Sequence, residues 1–179
     1  MKEPQCHGCR RRFAEARRLV AAMFVLTIIS VVASAQSQER RGWGYGFIAV
    51  GGTAGDGSAT TSHYGGGSER LIYRGLGLGA ELGNVTPLGD FGHGVGIFST
   101  NVSYSFGGTQ SSRRLSPFIS GGYSLKFRDD EDSGSGLNIG AGVQYWASPR
   151  MAVRIEFRDH HFFKGVLNFY GARLGLAFR

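Results

Sequence analysis

Apolar and aromatic residues alternate with glycine or polar residues along the chain from Trp43 to Phe178. Successive side chains of a β-strand point to opposite faces, so in the last segment Arg173 lies on one face and the apolar residues on the other. The apolar face consists of Tyr170, Ala172, Leu174, Leu176 and Phe178. Apolar outer faces with small or charged inner faces are typical of barrels whose exterior contacts lipid. The pattern therefore predicts an all-β, antiparallel, up-and-down transmembrane barrel.

Eight segments with this period are separated by clusters of glycine, serine, aspartate and proline, and no sustained helical period interrupts them. The predicted strands are 43–52, 60–71, 75–85, 94–106, 116–127, 136–146, 151–159 and 167–178. An even count places both termini of the barrel on the periplasmic side, where connections are usually short. The tight connections 72–74 and 147–150 fall on that side. Segment 60–71 is polar and glycine-rich, so it is the strand that the pattern supports least.

The register of these segments predicts which residues face lipid. They are Phe98, Val102, Tyr104, Phe106, Ile119, Tyr123, Leu125, Phe127, Ile139, Val143, Tyr145, Met151, Val153, Ile155 and Phe157. Aromatic rings near strand ends are expected at the level of the lipid headgroups. These rings are Trp43, Tyr45, Phe106, Tyr145, Trp146, Phe157, Tyr170 and Phe178. The alternative for such a stripe is the core of a soluble β-sandwich, against which the polar opposite face argues.

The opposite register predicts a charged interior. It contains Glu69, Glu81, Lys126, Arg128, Arg154, Glu156, Arg158 and Arg173, surrounded by Ser99, Asn101, Ser103, Ser120 and Ser124. Buried ions must be paired, so these residues are predicted to form a network of salt bridges. Inward glycines leave room for the long side chains: Gly77, Gly79, Gly83, Gly122, Gly140 and Gly142. An eight-stranded barrel is narrow, which favours a structural plug over the alternative of a gated thin channel.

The N-terminus has the features of an exported protein. Arginines at positions 10–12, 17 and 18 precede a 14-residue apolar run, 19–32, and the small residues Ala33, Ser34 and Ala35. The run is shorter than the about 20 residues of a transmembrane helix. We predict a cleavable signal peptide over 1–35 and a barrel domain over 36–179. Cys6 and Cys9 both lie in the predicted signal peptide, so neither a zinc site nor a redox pair is expected.

Cleavage would lower the formal charge from +7 to +3, because six basic and two acidic residues leave with the peptide. The remaining basic residues are scattered over alternating strands rather than clustered with aromatics on one face. Nucleic-acid binding is therefore not expected.

The predicted rims carry side chains that could take part in catalysis or metal binding. The sequence Asp159-His160-His161 ends the predicted seventh strand, and Asp90 and His93 lie in another extracellular connection. No serine follows at a spacing that suggests a nucleophile, so we interpret the histidines as solvated loop residues. The acidic run Asp129–Asp132 lacks the ligand spacing of a calcium loop and is interpreted as a solvated turn. Gly75, Gly77 and Gly79 reflect strand periodicity rather than a phosphate loop. No catalytic residue, metal or cofactor is predicted.

Segments 116–123, 137–150 and 153–159 resemble the outer-membrane β-barrel domain family and the transmembrane half of OmpA-type proteins. The resemblance covers residues 43–179. It implies an eight-stranded barrel that the outer-membrane assembly machinery inserts by reading a last strand with a terminal aromatic residue. Tyr170, Leu174, Leu176 and Phe178 match that assembly signal. The peptidoglycan-binding domain of OmpA-type proteins is not expected.

Together these observations predict a small, monomeric, non-enzymatic protein of the bacterial outer membrane with a structural or surface role. The expected partners are outer-membrane lipid and lipopolysaccharide, the assembly machinery and periplasmic chaperones. The alternatives are a narrow channel for ions or small solutes and, as a third hypothesis, a lipid-active enzyme that uses His160 and His161.

Overall fold

The computed structural model describes residues 42–54, 59–89, 94–106, 114–128, 131–163 and 168–179, without the side chains of Arg128, Glu131 and Asp132. The predicted signal peptide, Asp90, His93, Asp129 and Asp130 lie outside these ranges. The strands are β1 (Gly42–Ala54), β2 (Thr60–Tyr73), β3 (Leu76–Pro87), β4 (Val95–Ser105), β5 (Leu115–Arg128), β6 (Glu131–Trp146), β7 (Met151–Phe162) and β8 (Asn168–Phe178). No helix long and apolar enough to cross a bilayer occurs in the described ranges.

Each strand pairs antiparallel with the next, and β8 pairs with β1 to close the barrel. The strands are staggered around the barrel. Paired residues followed once around the sheet return to β1 ten residues further on: Gly42, Arg70, Leu78, Val102, Gly121, Ile139, Asp159, Tyr170, Gly52. A stagger of this kind tilts the strands by roughly 35–45° and leaves an interior that side chains fill.

The prediction of an eight-stranded antiparallel barrel is confirmed. The polar second segment is a strand because β1 pairs with it over Thr60–Arg70 and β3 over Thr61–Tyr73, whatever its own hydrophobicity. Several strands are longer than predicted, and at the extracellular end β6 begins at Glu131 and β7 continues to Phe162. The extra residues pair with β5 and β6, and their side chains alternate in composition too weakly to be recognised as strand.

Connection length is less asymmetric than expected. At the end where β1 begins and β8 ends, β2 and β3 are joined by the two-residue turn Arg74-Gly75, but β4 and β5 are separated by residues 106–114. The connections at the other end are all shorter than 106–114; they are 55–59, 88–94, 129–130 and 163–167. The even strand count, rather than loop length, therefore assigns the periplasmic end.

The predicted lipid-facing residues lie on the outside of the barrel. All are exposed except Phe98 and Val153, which are partly buried. The predicted aromatic belt is wrong at several positions. Trp43 and Tyr45 are buried inside the barrel, Trp146 packs against that inner cluster, and Phe157 lies in the middle of β7 rather than near its end.

The aromatic face of β1 points inward because β2 leaves space for it. A Cβ atom built on Gly65 would lie 2.9 Å from the Phe47 ring, and one on Gly67 would lie 2.8 Å from the Tyr45 hydroxyl. The rings of β1 thus fill the volume that these inward glycines vacate.

Candidate functional site

The interior of the barrel is arranged in three layers, which β7 crosses in order. Its inward residues are Ala152, Arg154, Glu156, Arg158, His160 and Phe162. Ala152 belongs to an apolar layer at the periplasmic end, formed with Trp43, Tyr45, Phe47, Leu71 and Ala177. Phe162 belongs to a second apolar layer at the other end, formed with Val85, Ile97 and Phe169. Between them lies a layer of charged side chains, called here the charged layer: Glu69, Glu81, Arg154, Glu156, Arg158 and Arg173.

The charged layer begins with Glu69 on β2. Arg154 on β7 donates from Nη1 to Glu69 Oε2 at 3.1 Å, while Ser103 Oγ donates to Glu69 Oε1. The Nε atom of Arg154 lies 3.3 Å from Glu156 Oε2. The Arg154 guanidinium also stacks on the Phe118 ring, 3.8 Å from its centroid. Arg154 is thus held between two carboxylates and an aromatic face.

The chain of contacts continues from β7 to β3 and β8. Arg158 donates to Glu156 Oε1 from Nε at 2.9 Å and from Nη2 at 2.5 Å. Its Nη1 atom lies 3.5 Å from Glu81 Oε2. Arg173 donates from Nη1 to both oxygens of Glu81, at 2.8 and 3.0 Å. Tyr45 Oη adds a hydrogen bond of 3.0 Å to the same carboxylate.

These contacts form one continuous chain of alternating sign: Glu69, Arg154, Glu156, Arg158, Glu81, Arg173. Three carboxylates face three guanidinium groups, so the layer carries no net charge. Every member has an oppositely charged neighbour and further hydrogen bonds, which is the condition under which buried ions are tolerated. Because β7 and β8 supply the arginines and β2 and β3 two of the glutamates, the layer cross-links strands across the barrel.

Two histidines extend the charged layer toward the extracellular end. Arg173 Nη2 lies 3.2 Å from His63 Nδ1 and 3.0 Å from His160 Nε2. An arginine only donates hydrogen bonds, so both ring nitrogens accept and both imidazoles are neutral. The proton of His160 is then on Nδ1, which donates to Ser124 Oγ at 3.0 Å. A small cavity beside these rings offers about 10 Å³, room for about one water molecule.

The interpretation of His160 as a solvated loop residue is wrong. His160 is 2% exposed and points into the barrel, because β7 continues past the predicted end of the strand. His161 is exposed and Asp159 is partly buried, on the other face of the same strand. The three residues therefore do not converge on one point. In the described ranges no group of histidine, cysteine or acidic side chains is arranged to hold a metal ion.

Glycines next to the charged layer leave space for its side chains. A Cβ atom on Gly77 would lie 2.5 Å from Ser103 Oγ and 3.0 Å from Glu69 Oε1. One on Gly140 would lie 2.6 Å from Glu156 Oε1 and 3.2 Å from Arg158 Nε. At these positions a side chain would displace a carboxylate from its partners.

We expect Gly140→Ala to destabilise the barrel by about 1–3 kcal/mol, the usual cost of overpacking. The added methyl group displaces Glu156, which is already bound to Arg158. Urea unfolding of the protein in lipid vesicles measures the effect. Gly121→Ala is the matched control, because its Cβ would lie 3.5 Å from the nearest atom, Asn138 O. Equal unfolding midpoints for the two variants would contradict the assignment of Gly140 as space for the charged layer.

Lys126, Arg128 and the four residues of the predicted assembly signal complete the set of predicted site residues. Lys126 shares the inward register, but its ammonium lies 6.0 Å from the centroid of the Phe162 ring and contacts none of the six charged side chains of the charged layer. The side chain of Arg128 lies outside the described part. Tyr170, Leu174, Leu176 and Phe178 are all exposed on the lipid face of β8.

Besides His160, sequence reasoning missed further inward polar residues, among them Tyr45, His63, Asn138 and Gln144. Gln144 is 3.5 Å from Arg154 Nη1, and Asn138 donates to Ser124 Oγ at 3.0 Å. His63 and Asn138 share the register of residues that were recognised as inward, so strict alternation along β2 and β6 would have identified them. Tyr45 gives no such signal, because β1 contains no charged residue that marks its inner face.

The family model described as "Outer membrane protein beta-barrel domain" matches residues 21–179. The chain belongs to this family. Membership places the protein in the bacterial outer membrane, and the predicted resemblance is confirmed.

Solved structures of the same fold include the N-terminal β-barrel domain of OprF from Pseudomonas aeruginosa. It is 18% identical, with 79% of this chain and 98% of that chain covered and a TM-score of 0.60. Neisserial surface protein A is 14% identical, with coverages of 76% and 96% and a TM-score of 0.62. Ail, the attachment invasion locus protein of Yersinia pestis, is 12% identical, with coverages of 76% and 95% and a TM-score of 0.51. At these identities the likeness shows the fold alone. No curated protein matches the chain.

Proposed function

We propose that this protein is a small non-enzymatic barrel with a structural role in the outer membrane, and that its interior is a closed plug. One observation supports the proposal most directly: the charged layer has no net charge and is enclosed between two apolar layers. Side chains fixed on several strands make the sheet a rigid cylinder. Such a cylinder presents a continuous apolar outside to lipid without any requirement for a ligand.

An ion that crossed this interior would meet three successive barriers. It would have to pass the rings of Trp43, Tyr45 and Phe47, separate the ion pairs, and then pass Phe162 and Phe169. Apolar constrictions close a pore by excluding water, and a narrow radius limits flow before charge does. A narrow channel for ions or small solutes remains the alternative, because polar barrel interiors also occur in channels.

We expect the purified protein to carry no sustained current in planar bilayers. The double variant Tyr45→Ser, Phe47→Ser removes two rings from the periplasmic layer only, and because the ion pairs and the Phe162 and Phe169 rings remain, it should also carry no sustained current. Stepwise wild-type current that changes when Arg154 and Arg173 are replaced by glutamine would contradict the plug and support the channel. Current that the same replacements leave unchanged is leakage around the protein.

The proposal includes the route of the protein to the membrane. Residues 1–35 direct export and are cleaved, periplasmic chaperones accompany the unfolded chain, and the assembly machinery recognises the face of β8 that ends at Phe178. The folded barrel is a monomer in contact with phospholipid and lipopolysaccharide. Family membership supports this route, because it places the protein in the outer membrane. A protein made in the cytoplasm must cross the inner membrane to reach that location.

A further inference from the structure

The periplasmic end of the barrel, where β1 begins and β8 ends, is ringed by arginines. Arg70 lies on the lipid face of β2 near its end, and four more arginines lie in turns or beyond the last strand: Arg74, Arg114, Arg150 and Arg179. All five are exposed. We call Arg70, Arg74, Arg114 and Arg150 the arginine collar.

No acidic side chain in the described ranges neutralises the arginine collar. Glu69, the carboxylate nearest in sequence, faces the interior and is bound by Arg154. In the sequence, most acidic residues of the barrel domain outside the charged layer fall between strands that are joined at the opposite end or close to those connections, namely Asp56, Asp90, Asp129, Asp130, Glu131, Asp132 and Asp159. The arginine collar therefore has no described carboxylate beside it.

The arginine collar lies beside aromatic rings that face lipid. Tyr73, Phe106, Tyr145 and Phe178 are exposed at the ends of their strands. The guanidinium of Arg74 lies 5.3 Å from the centroid of the Tyr73 ring. Aromatic rings at strand ends occupy the level of the headgroups, and arginines at the same level extend toward the headgroup region. The cations are thus placed where lipid phosphates lie.

Arg74 has a backbone conformation that is unfavourable for arginine. The turn Arg74-Gly75 has φ angles of +36° and +92°, as in a type I′ hairpin turn. Both central positions of that turn favour glycine, asparagine or aspartate. Arg74 is the only non-glycine residue with positive φ in the described ranges. An arginine at a strained turn position suggests a role for its side chain other than folding.

We propose that the arginine collar binds the phosphate groups of anionic phospholipids in the periplasmic leaflet. Guanidinium groups bind phosphate oxygens through paired hydrogen bonds as well as by charge. Four unneutralised cations around the rim favour headgroups with net negative charge over zwitterionic ones. The arrangement holds a shell of anionic lipid around the base of the barrel.

The test measures lipid selectivity with the full barrel refolded in phosphatidylcholine vesicles that contain spin-labelled phosphatidylglycerol or spin-labelled phosphatidylcholine. Electron paramagnetic resonance reports the fraction of each label that the protein immobilises, and labels in both leaflets make the result independent of orientation. One arginine near an anionic surface is worth on the order of a fivefold preference. We expect phosphatidylglycerol to be preferred by at least about fivefold at low salt and much less at high salt.

The variant Arg70→Gln, Arg74→Asn, Arg114→Gln, Arg150→Gln should reduce the preference to within about twofold. Replacement of the same four residues by lysine should retain much of it, and Asp159→Asn at the opposite rim should leave it unchanged. Arg74→Asn alone distinguishes binding from folding: asparagine suits the turn, so heat stability in phosphatidylcholine should be equal or higher while selectivity falls.

Equal immobilisation of the two labels by the wild type would overturn the proposal, as would a preference that survives loss of the four arginines. Soluble peptidoglycan fragments and inorganic phosphate are added as competitors. Displacement of the lipid label by peptidoglycan fragments at lower concentration than phosphate would assign the arginine collar to the cell wall and also overturn the lipid assignment.

Discussion

Deletion of residues 170–179 is expected to abolish assembly of the barrel in the outer membrane. The deletion removes nearly all of β8, which pairs with β1 from Gly44 to Ala54 and with β7 from Met151 to His160. Both neighbours would then expose unpaired backbone groups. In lipid each such group costs several kcal/mol, so an open sheet is not stable there. The shortened chain should remain in the periplasm and be degraded.

Gel mobility before and after boiling measures this outcome, because a folded barrel migrates differently from the unfolded chain. The wild type from the outer-membrane fraction should show the mobility shift, and the deletion should not. Removal of Arg179 alone is the matched control, since it leaves the whole β8 ladder in place. A shifted band from the deletion in the outer membrane would contradict the requirement for β8. Phe178→Gly keeps the ladder and separates recognition of the aromatic residue from closure of the sheet.

The strands were predictable because lipid forces a simple alternation, but alternation has a limit. It establishes which residues share a face and leaves open which face points inward. On β7 the charges of Arg154, Glu156 and Arg158 resolve that question. On β1 glycines alternate with both aromatic and aliphatic residues, and the rings of Tyr45 and Phe47 point inward only because β2 presents Gly65 and Gly67 to them.

The pairing of acidic and basic side chains inside the barrel could not be predicted from the sequence, for a different reason. Glu69 and Arg154 are separated by 85 positions and Glu81 and Arg173 by 92. Which of these side chains meet depends on the stagger of the closed sheet, a property of all eight pairings together. The inward register predicts the members of a network, whereas their order along it is set by the geometry of closure. The placement of His160 depended on a strand end, which local sequence defines poorly.

Glu81→Gln is expected to produce the largest loss of stability among single substitutions in the charged layer. The Glu81 carboxylate accepts from Arg173 at 2.8 Å, lies 3.5 Å from Arg158 Nη1, and accepts from the Tyr45 hydroxyl at 3.0 Å. Glutamine keeps the shape but leaves the layer with one net positive charge. Removal of one partner from a buried ion pair usually costs about 3–5 kcal/mol. Urea unfolding in lipid vesicles should show a loss of that size.

Asp159→Asn is the matched control, because it removes a carboxylate at the rim that makes no ion pair with a described residue, and we expect a change of less than about 1 kcal/mol. The double variant Glu81→Gln, Arg173→Gln restores neutrality, so its loss should be smaller than the sum of the two single losses. Additive losses would mean that the two residues act independently and would contradict a coupled layer. A coupling of more than about 1 kcal/mol would instead identify electrostatic balance, rather than packing alone, as the reason that three arginines can be buried in so narrow a barrel.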